Sequence, residues 1–254
     1  MFHPLVETWL VRRFGAPTPV QAQAWPVLAR GGDALITAPT GAGKTLAAFL
    51  SCLDRLLVAS SAGTLPERTA VVYVSPLKAL SNDVQKNLDE PIAEITALAG
   101  ELGYPAPRIT TAVRTGDTPA KERRDSLKHP PHVLVTTPES LFILLTSESG
   151  RRSLEHVATI ILDEIHAVAA DKRGAHLALS VERLEDLVVR AGNPRPQRIG
   201  LSATIRPIET AARLLVGSSA ALPTIVDAGQ LRDLDLGIEV PKDELGAVCT
   251  NEQW

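Results

Sequence analysis

The run APTGAGKT at residues 38–45 constrains the fold of this chain more than any other part of the sequence. It follows an apolar segment at 34–37, typical of a short buried strand, and it precedes a helix-like run at 46–50. A strand, a glycine-rich loop and a helix in this order form a phosphate-binding loop. Glycine permits the tight turn that aims backbone N–H groups at an anion. We expect the phosphate to lie against Thr40, Gly41, Ala42 and Gly43.

Two side chains at the start of the following helix specify the ligand further. Lys44 would contact the β- and γ-phosphates of a nucleotide, and the Thr45 hydroxyl would bind Mg²⁺. The sequence has Ala38 where the general phosphate-loop pattern has its first glycine. A glycine-rich turn before a helix can also arise by chance, so a second motif is needed.

That second motif follows the apolar run at 160–162, which leads into Asp163, Glu164 and His166. In an open α/β sheet, ligands bind at the carboxyl ends of the strands, so Asp163 would face the phosphate loop. We expect Asp163 to hold Mg²⁺ through water and Glu164 to orient or deprotonate an attacking water. Two adjacent acids can also form an exposed turn, but the upstream loop favours the phosphate site.

The run Ser202-Ala203-Thr204 ends the next strand-like segment, 198–201. Small hydroxyl residues at a strand end commonly cap the turn that follows. Because this run comes one strand after the acids, we expect Ser202 and Thr204 to hydrogen-bond His166 and Asp163. Such bonds would link the hydrolysis site to the next segment of the chain.

Apolar runs alternate with helix-like segments along the chain, which predicts an α/β fold with an open, mostly parallel sheet and helices on both faces. The expected strands are 34–37, 70–75, 109–113, 132–136, 159–162 and 198–201, with a further candidate at 224–228. The expected helices are 5–14, 18–29, 45–58, 77–99, 120–127, 140–147 and 175–190.

Composition sets wider bounds on function. The 254 residues are 44% hydrophobic, enough for a sizeable core, and the net charge of −3 requires any nucleic-acid surface to be local. The two cysteines, Cys52 and Cys249, lie far apart, which does not suggest a disulfide framework. We find no signal-peptide pattern and no run of membrane-helix length, so we expect a cytoplasmic protein without a membrane partner.

Taken in order, AxTGxGKT, DExH and SAT resemble motifs I, II and III of the superfamily 2 DExH/DEAD-type helicases. Phe14 and the run Thr18-Pro19-Val20-Gln21 resemble the Q motif, which implies that Gln21 binds the adenine edge. The spellings PLKALSND, DEIH and LSATI are most similar to the Lhr (large helicase-related) group. The resemblance covers about residues 5–240, and Ala38 is usual within it. It implies a RecA-like P-loop NTPase domain that uses ATP and Mg²⁺.

Three further segments resemble motif Ia, the TGD segment and motif Ib, which implies contact with the backbone of a single nucleic-acid strand. Lhr-like substrates would be DNA or RNA–DNA hybrids. Backbone amides, hydroxyls and cations suit phosphates without selecting bases. Lys78 can alternatively be a solvated helix residue. The residues expected to contact the strand are Pro76, Leu77, Lys78, Arg114, Thr115, Gly116, Thr137 and Pro138.

Helicases of this superfamily also need a second RecA-like domain, which carries a QxxGRxGR-type motif. The sequence after Thr204 contains no such run. We therefore expect the first motor domain of a longer helicase, weakly active alone, with a Q-motif segment at 1–31, the ATP-binding domain at 32–222 and the start of a linker or second domain at 223–254. The alternatives are an ATP-binding module without motor activity, or a P-loop enzyme of another class, against which TPxQ argues.

Overall fold

The structure is a computed structural model that describes residues 2–76, 78–169, 171–203, 206–217 and 221–228, without the side chains of 78–87. Among the predicted site residues, Leu77 and Thr204 lie outside the described residues, as does the side chain of Lys78. Most of the segment expected at 223–254 also lies outside them.

The described residues form one seven-stranded sheet in the order β3-β4-β2-β5-β6-β1-β7. Every neighbouring pair of strands is parallel. The strands are β1 Ala34–Thr37, β2 Val71–Val74, β3 Thr111–Arg114, β4 Val133–Thr136, β5 Thr159–Leu162, β6 Gln197–Ser202 and β7 Thr224–Asp227. β1, β2, β4 and β5 are buried along their whole length and are rich in apolar residues, as expected for strands covered on both faces. β6 is also fully buried but includes Gln197 and Arg198. The predicted parallel α/β fold is confirmed.

Nine α-helices of the described part cover the two faces of this sheet. They are α1 Pro4–Phe14, α2 Pro19–Ala29, α3 Lys44–Ser61, α4 Lys78–Glu101, α5 Ala120–Lys128, α6 Pro138–Thr146, α7 Glu148–Leu154, α8 Lys172–Arg190 and α9 Ile208–Val216. Successive strand side chains point to opposite faces, so Tyr73 packs with the α1–α4 side and its neighbour Val72 with the α6, α8 and α9 side. None of the described helices is long and apolar enough to cross a bilayer.

The sequence analysis missed two helices, α7 and α9. The expected helix at 140–147 stops at Thr146, and Ser147 then caps α7 by accepting a hydrogen bond from the Gly150 N–H at 3.2 Å. The strand expected at 109–113 begins two residues later, at Thr111. The two missed helices and the shifted element ends leave the strand order unaffected.

The strand order places the predicted motifs side by side. β5 lies between β2 and β6, and β6 lies between β5 and β1. The phosphate loop follows β1, the acidic motif follows β5 and Ser202 ends β6. Since parallel strands end at one edge of the sheet, these three segments converge there.

The sheet also packs closely beneath the acidic motif. A Cβ atom added to Gly200 of β6 would lie 2.6 Å from Cδ1 of Ile165 and 3.0 Å from Cδ1 of Leu35. We expect Gly200→Ala to lower the free energy of unfolding by about 1–3 kcal/mol, because overpacking a filled core forces side chains to shift. Urea unfolding would measure this change.

The matched control is Gly32→Ala, since no atom lies within 4 Å of a Cβ added there. It should change the unfolding free energy by no more than about 0.5 kcal/mol. Equal values for the two variants would contradict the close packing at Gly200.

Candidate functional site

The loop after β1 has the backbone geometry of an anion cradle. Gly41 and Gly43 adopt φ of 81° and 90°, a region that glycine tolerates and other residues rarely enter. Gly43 precedes α3 without a side-chain cap. The N–H groups of the first helical turn therefore face the loop and can bind a phosphate. The predicted strand–loop–helix placement is confirmed.

Lys44 is a buried cation at the centre of this loop, with 7% of its surface exposed. Its Nζ donates hydrogen bonds to the carbonyl oxygens of Ala38 at 2.5 Å and Pro39 at 3.0 Å. Burial lowers the pKa of Lys44, and the nearby carboxylates of Glu164 and Asp163 oppose that effect. A phosphate would give this ammonium an anionic partner in place of neutral carbonyls, which makes a stronger hydrogen bond.

Asp163 is the buried acid of the site, also 7% exposed. Its Oδ1 accepts a hydrogen bond from the Glu164 N–H at 2.9 Å, and its Oδ2 accepts one from the Tyr73 hydroxyl. Burial raises the pKa of Asp163, whereas the Tyr73 hydroxyl and Lys44 act in the opposite direction. Sequence analysis missed Tyr73; its signal was a tyrosine in a strand that is otherwise valine.

Thr45 and Asp163 supply the kind of oxygen donors that Mg²⁺ prefers. The described part of the chain has no group of three or more His, Cys, Asp or Glu residues that could hold a metal ion. Mg²⁺ at nucleotide sites is held by one or two carboxylates together with phosphates and waters. One hydroxyl and one carboxylate beside a phosphate loop fit that requirement.

Glu164 and His166 connect the acidic motif to the end of β6. Glu164 has φ of 47°, the one positive φ among the described non-glycine residues. Its Oε2 lies 3.2 Å from Nδ1 of His166, and that nitrogen lies 3.4 Å from the Ser202 hydroxyl and accepts the Ala203 N–H at 3.3 Å. The expected contact of Ser202 with His166 is confirmed. For Asp163, the described hydroxyl partner is Tyr73.

A cleft of about 330 Å³ opens over the phosphate loop. Its walls include Thr40, Lys44 and Thr45 on one side, with Phe14 and Arg13 of α1 on the other. Phe14 is 49% exposed, so its ring is available to a planar ligand. Phe14 thus lines the same cleft as the phosphate loop, and its contact with a nucleotide stays a prediction.

Gln21 lies at the start of α2, where its side chain reaches the phosphate loop. It is buried, and its Oε1 accepts a hydrogen bond from the Thr18 N–H at 3.0 Å in a capping box at the start of α2. Its Nε2 lies 3.5 Å from the Gly43 carbonyl, while the Thr18 hydroxyl donates to the Ala42 carbonyl at 3.0 Å. The Q-motif segment thus supports the phosphate loop, and the adenine contact stays a prediction.

The residues expected to contact nucleic acid lie at the ends of three neighbouring strands, β3, β4 and β2. Two of the described side chains, those of Arg114 and Thr137, are engaged within the protein. Arg114 is 8% exposed and donates to the Arg123 carbonyl at 3.2 Å, and Thr137 caps α6 by accepting the Ser140 N–H at 3.3 Å. Gly116 is exposed. Backbone groups at this edge are therefore the more available phosphate donors.

Arg173 at the start of α8 is a further residue that the sequence analysis missed. Its Nη2 donates to the Pro76 carbonyl at 2.9 Å, and its Nε donates to Oε1 of Glu139 at 2.9 Å. It therefore joins the end of β2 to the beginning of α6, two segments expected to contact one strand.

Comparison with known proteins agrees with this geometry. The profile of the DEAD/DEAH box helicase family matches residues 18–212. This match covers more than half of the chain, and the chain belongs to that family. The "Lhr helicase/ probable uracil glycosylase" of Mycolicibacterium smegmatis is 50% identical over 253 residues, which are 100% of this chain and 16% of the relative. The "ATP-dependent helicase Lhr-Core" of Methanothermobacter thermautotrophicus is 44% identical over 99% of this chain and 29% of the relative.

Solved structures show the same relationship. The helicase Lhr of Mycobacterium smegmatis, determined with ssDNA and AMP-PNP, has a TM-score of 0.81 and 52% identity over 90% of this chain and 28% of that chain. The DEAD-box helicase Mss116 has a TM-score of 0.72 at 17% identity, which supports the fold alone. The predicted RecA-like fold and the similarity to Lhr helicases are both confirmed. The chain spans 16% and 29% of the lengths of the two curated relatives above.

The raised pKa of Asp163 indicates that its ionised carboxylate lowers the stability of the folded protein, although the proposed cation would need that same negative charge. An ionised carboxyl whose folded-state pKa is raised destabilises the fold at higher pH, and this penalty vanishes as the pH falls below the ordinary value of 3.8. Asp163→Asn should therefore raise the melting temperature of the nucleotide-free protein at about pH 7, and the gain should shrink toward about pH 4. Scanning calorimetry across pH would measure it.

The control is Asp186→Asn, which removes an exposed acid paired with Arg190 on α8. Exposed pairs of this kind contribute little, so its melting temperature should follow that of the wild type. A lower melting temperature for Asp163→Asn at neutral pH would contradict the assignment of Asp163 as a destabilising buried charge.

Proposed function

We propose that this chain is the ATP-binding motor domain of a helicase, and that it binds and hydrolyses ATP in step with single-strand binding and translocation. The observation that carries this proposal is the convergence of Lys44, Asp163 and Glu164 beside a cleft at one strand-end edge. The similar domain of the Lhr helicase determined with ssDNA and AMP-PNP supports it.

In this proposal the loop N–H groups and Lys44 bind the phosphates, and Thr45 and Asp163 hold Mg²⁺. The cation, when bound, neutralises charge on the phosphate oxygens. Glu164 orients the attacking water and accepts its proton. His166, Ser202 and Thr204 link the hydrolysis site to the segment after β6. Phe14 and Gln21 contact the adenine base.

The proposed strand-binding edge follows β2, β3 and β4, next to the nucleotide cleft. The residues proposed to contact the strand are Pro76, Leu77, Lys78, Arg114, Thr115, Gly116, Thr137 and Pro138, of which all but the two prolines can donate a hydrogen bond from a backbone N–H or a side chain. Arg173 braces this edge by joining Pro76 to Glu139. Contacts to phosphates position a strand without selecting its sequence, as a translocating motor requires. A DNA strand or one strand of an RNA–DNA hybrid fits this chemistry.

We assign residues 1–31 to a Q-motif segment, 32–222 to the ATP-binding domain and 223–254 to a linker or the start of a second RecA-like domain.

An arginine that another domain supplies to the γ-phosphate raises the rate of hydrolysis about 10³–10⁵-fold in P-loop NTPases. We therefore propose that the chain alone turns over ATP slowly. An ATP-binding module without motor activity is the second candidate; nucleic-acid stimulation of ATP turnover in the longer protein separates the two.

The ATP site is tested by Lys44→Ala. This change removes a charge-assisted contact to phosphate, and we expect it to weaken binding of ATP with Mg²⁺ at least about tenfold. Isothermal titration calorimetry would give the dissociation constants. Lys128→Ala, which removes an exposed lysine from the last turn of α5, should leave the affinity unchanged. Equal affinities for the wild type and Lys44→Ala would reject the site.

A further inference from the structure

We propose that Tyr73 is a positioning residue of the nucleotide–metal site, whose hydroxyl holds the Asp163 carboxylate in the orientation that binds the divalent cation. The inference rests on the proposed function, because it assigns Asp163 and Thr45 to that cation. It adds a residue from β2 to a site otherwise built from the phosphate loop and the acidic motif.

The fold explains how a residue inside β2 reaches this site. Tyr73 lies opposite Ile161 of the neighbouring strand β5, and the Asp163 N–H donates to the Val74 carbonyl at 2.9 Å. Tyr73 and Ile161 both face the α3 side of the sheet. Asp163, which follows β5, therefore lies beside the end of β2. The Tyr73 side chain is long enough for its hydroxyl to reach the Asp163 carboxylate.

Both oxygens of Asp163 are held from within the chain. The Glu164 N–H donates to Oδ1 at 2.9 Å, and the Tyr73 hydroxyl donates to Oδ2. Two donors on opposite oxygens fix the rotation of the carboxylate. Each carboxylate oxygen accepts up to two hydrogen bonds, so both can still receive a cation or its bound water.

The Thr45 hydroxyl is also near enough to the phenol to affect the pKa of Tyr73, so the phenol lies close to both groups proposed to hold the cation. Tyr73 is fully buried in an apolar strand, where phenylalanine would fill the same space without a polar atom. Burying a hydroxyl is unfavourable unless it is hydrogen-bonded. The hydroxyl therefore has a specific role here, and its partner is the proposed cation-binding acid.

The test is Tyr73→Phe, which keeps the ring and removes the hydroxyl. Binding of a fluorescent ATP analogue to the full chain is titrated against Mg²⁺ and repeated in EDTA. Residues that hydrogen-bond to metal ligands without contacting the metal typically contribute about 10- to 100-fold in metal affinity or activity. We expect the Mg²⁺ concentration for half-maximal binding to rise about tenfold. The metal-free affinity should change little, which separates positioning from a merely structural role; the melting temperature should fall modestly, because the buried Asp163 carboxylate loses a hydrogen-bond donor.

The matched control is Tyr104→Phe, which removes the hydroxyl of the other tyrosine in the chain, 37% exposed before β3. Its Mg²⁺ requirement should equal that of the wild type. In an Asp163→Asn background, Tyr73→Phe should add no further change, because its effect passes through that carboxylate.

An unchanged or lower Mg²⁺ requirement for Tyr73→Phe would overturn the inference. Equal losses with and without Mg²⁺ would also overturn it, since they would indicate a general disturbance of the loop. If the wild type binds the analogue with Mg²⁺ and Tyr73→Phe behaves identically, only the role of Tyr73 fails. If the wild type does not bind the analogue at all, the proposed ATP site itself fails.

Discussion

The parallel pairing of β1, β6, β5 and β2 is the constraint on which the rest of the site depends. Each strand contributes the residues that follow its carboxyl end, and the order β2-β5-β6-β1 sets them side by side. The register Leu162↔Gly200 and Leu35↔Gly200 ends β5 two residues before the ends of β6 at Ser202 and β1 at Thr37. The phosphate loop and the acidic motif are more than a hundred residues apart along the chain, and this pairing brings them together in space.

Charge burial at that edge gives the site its chemistry. Lys44 and Asp163 are each 7% exposed. Burial lowers the pKa of Lys44 and raises the pKa of Asp163, and each shift favours the neutral form of the group. Their mutual attraction, the loop carbonyls and the Tyr73 hydroxyl offset part of the desolvation cost. A nucleotide with its cation would complete the set, because phosphate suits the ammonium and the metal suits the carboxylate.

The sequence was sufficient for the fold and for the residues at strand ends, because both follow from local patterns. Buried strands appear as apolar runs, and the loop, acidic and hydroxyl motifs appear at their ends. Local patterns could not show which residues from distant segments contact each other, even where one residue, such as Tyr73 in a valine strand, was unusual. Tyr73 meets Asp163 across 90 residues, and Arg173 meets Pro76 across 97. The contact of the Gln21 amide with the Gly43 carbonyl, 22 residues away, also had no signal in the local pattern.

The central claim is that the strand-end edge is a phosphate and metal site, and a crystal structure with AMP-PNP and Mn²⁺ tests it most directly. The anomalous signal of Mn²⁺ would locate the cation without assumptions about its ligands. We predict an ion beside Thr45 and Asp163, and a Lys44 Nζ that has left the Ala38 and Pro39 carbonyls for the phosphates. A nucleotide bound elsewhere, or a Lys44 that keeps both carbonyl contacts beside a bound nucleotide, would contradict the account.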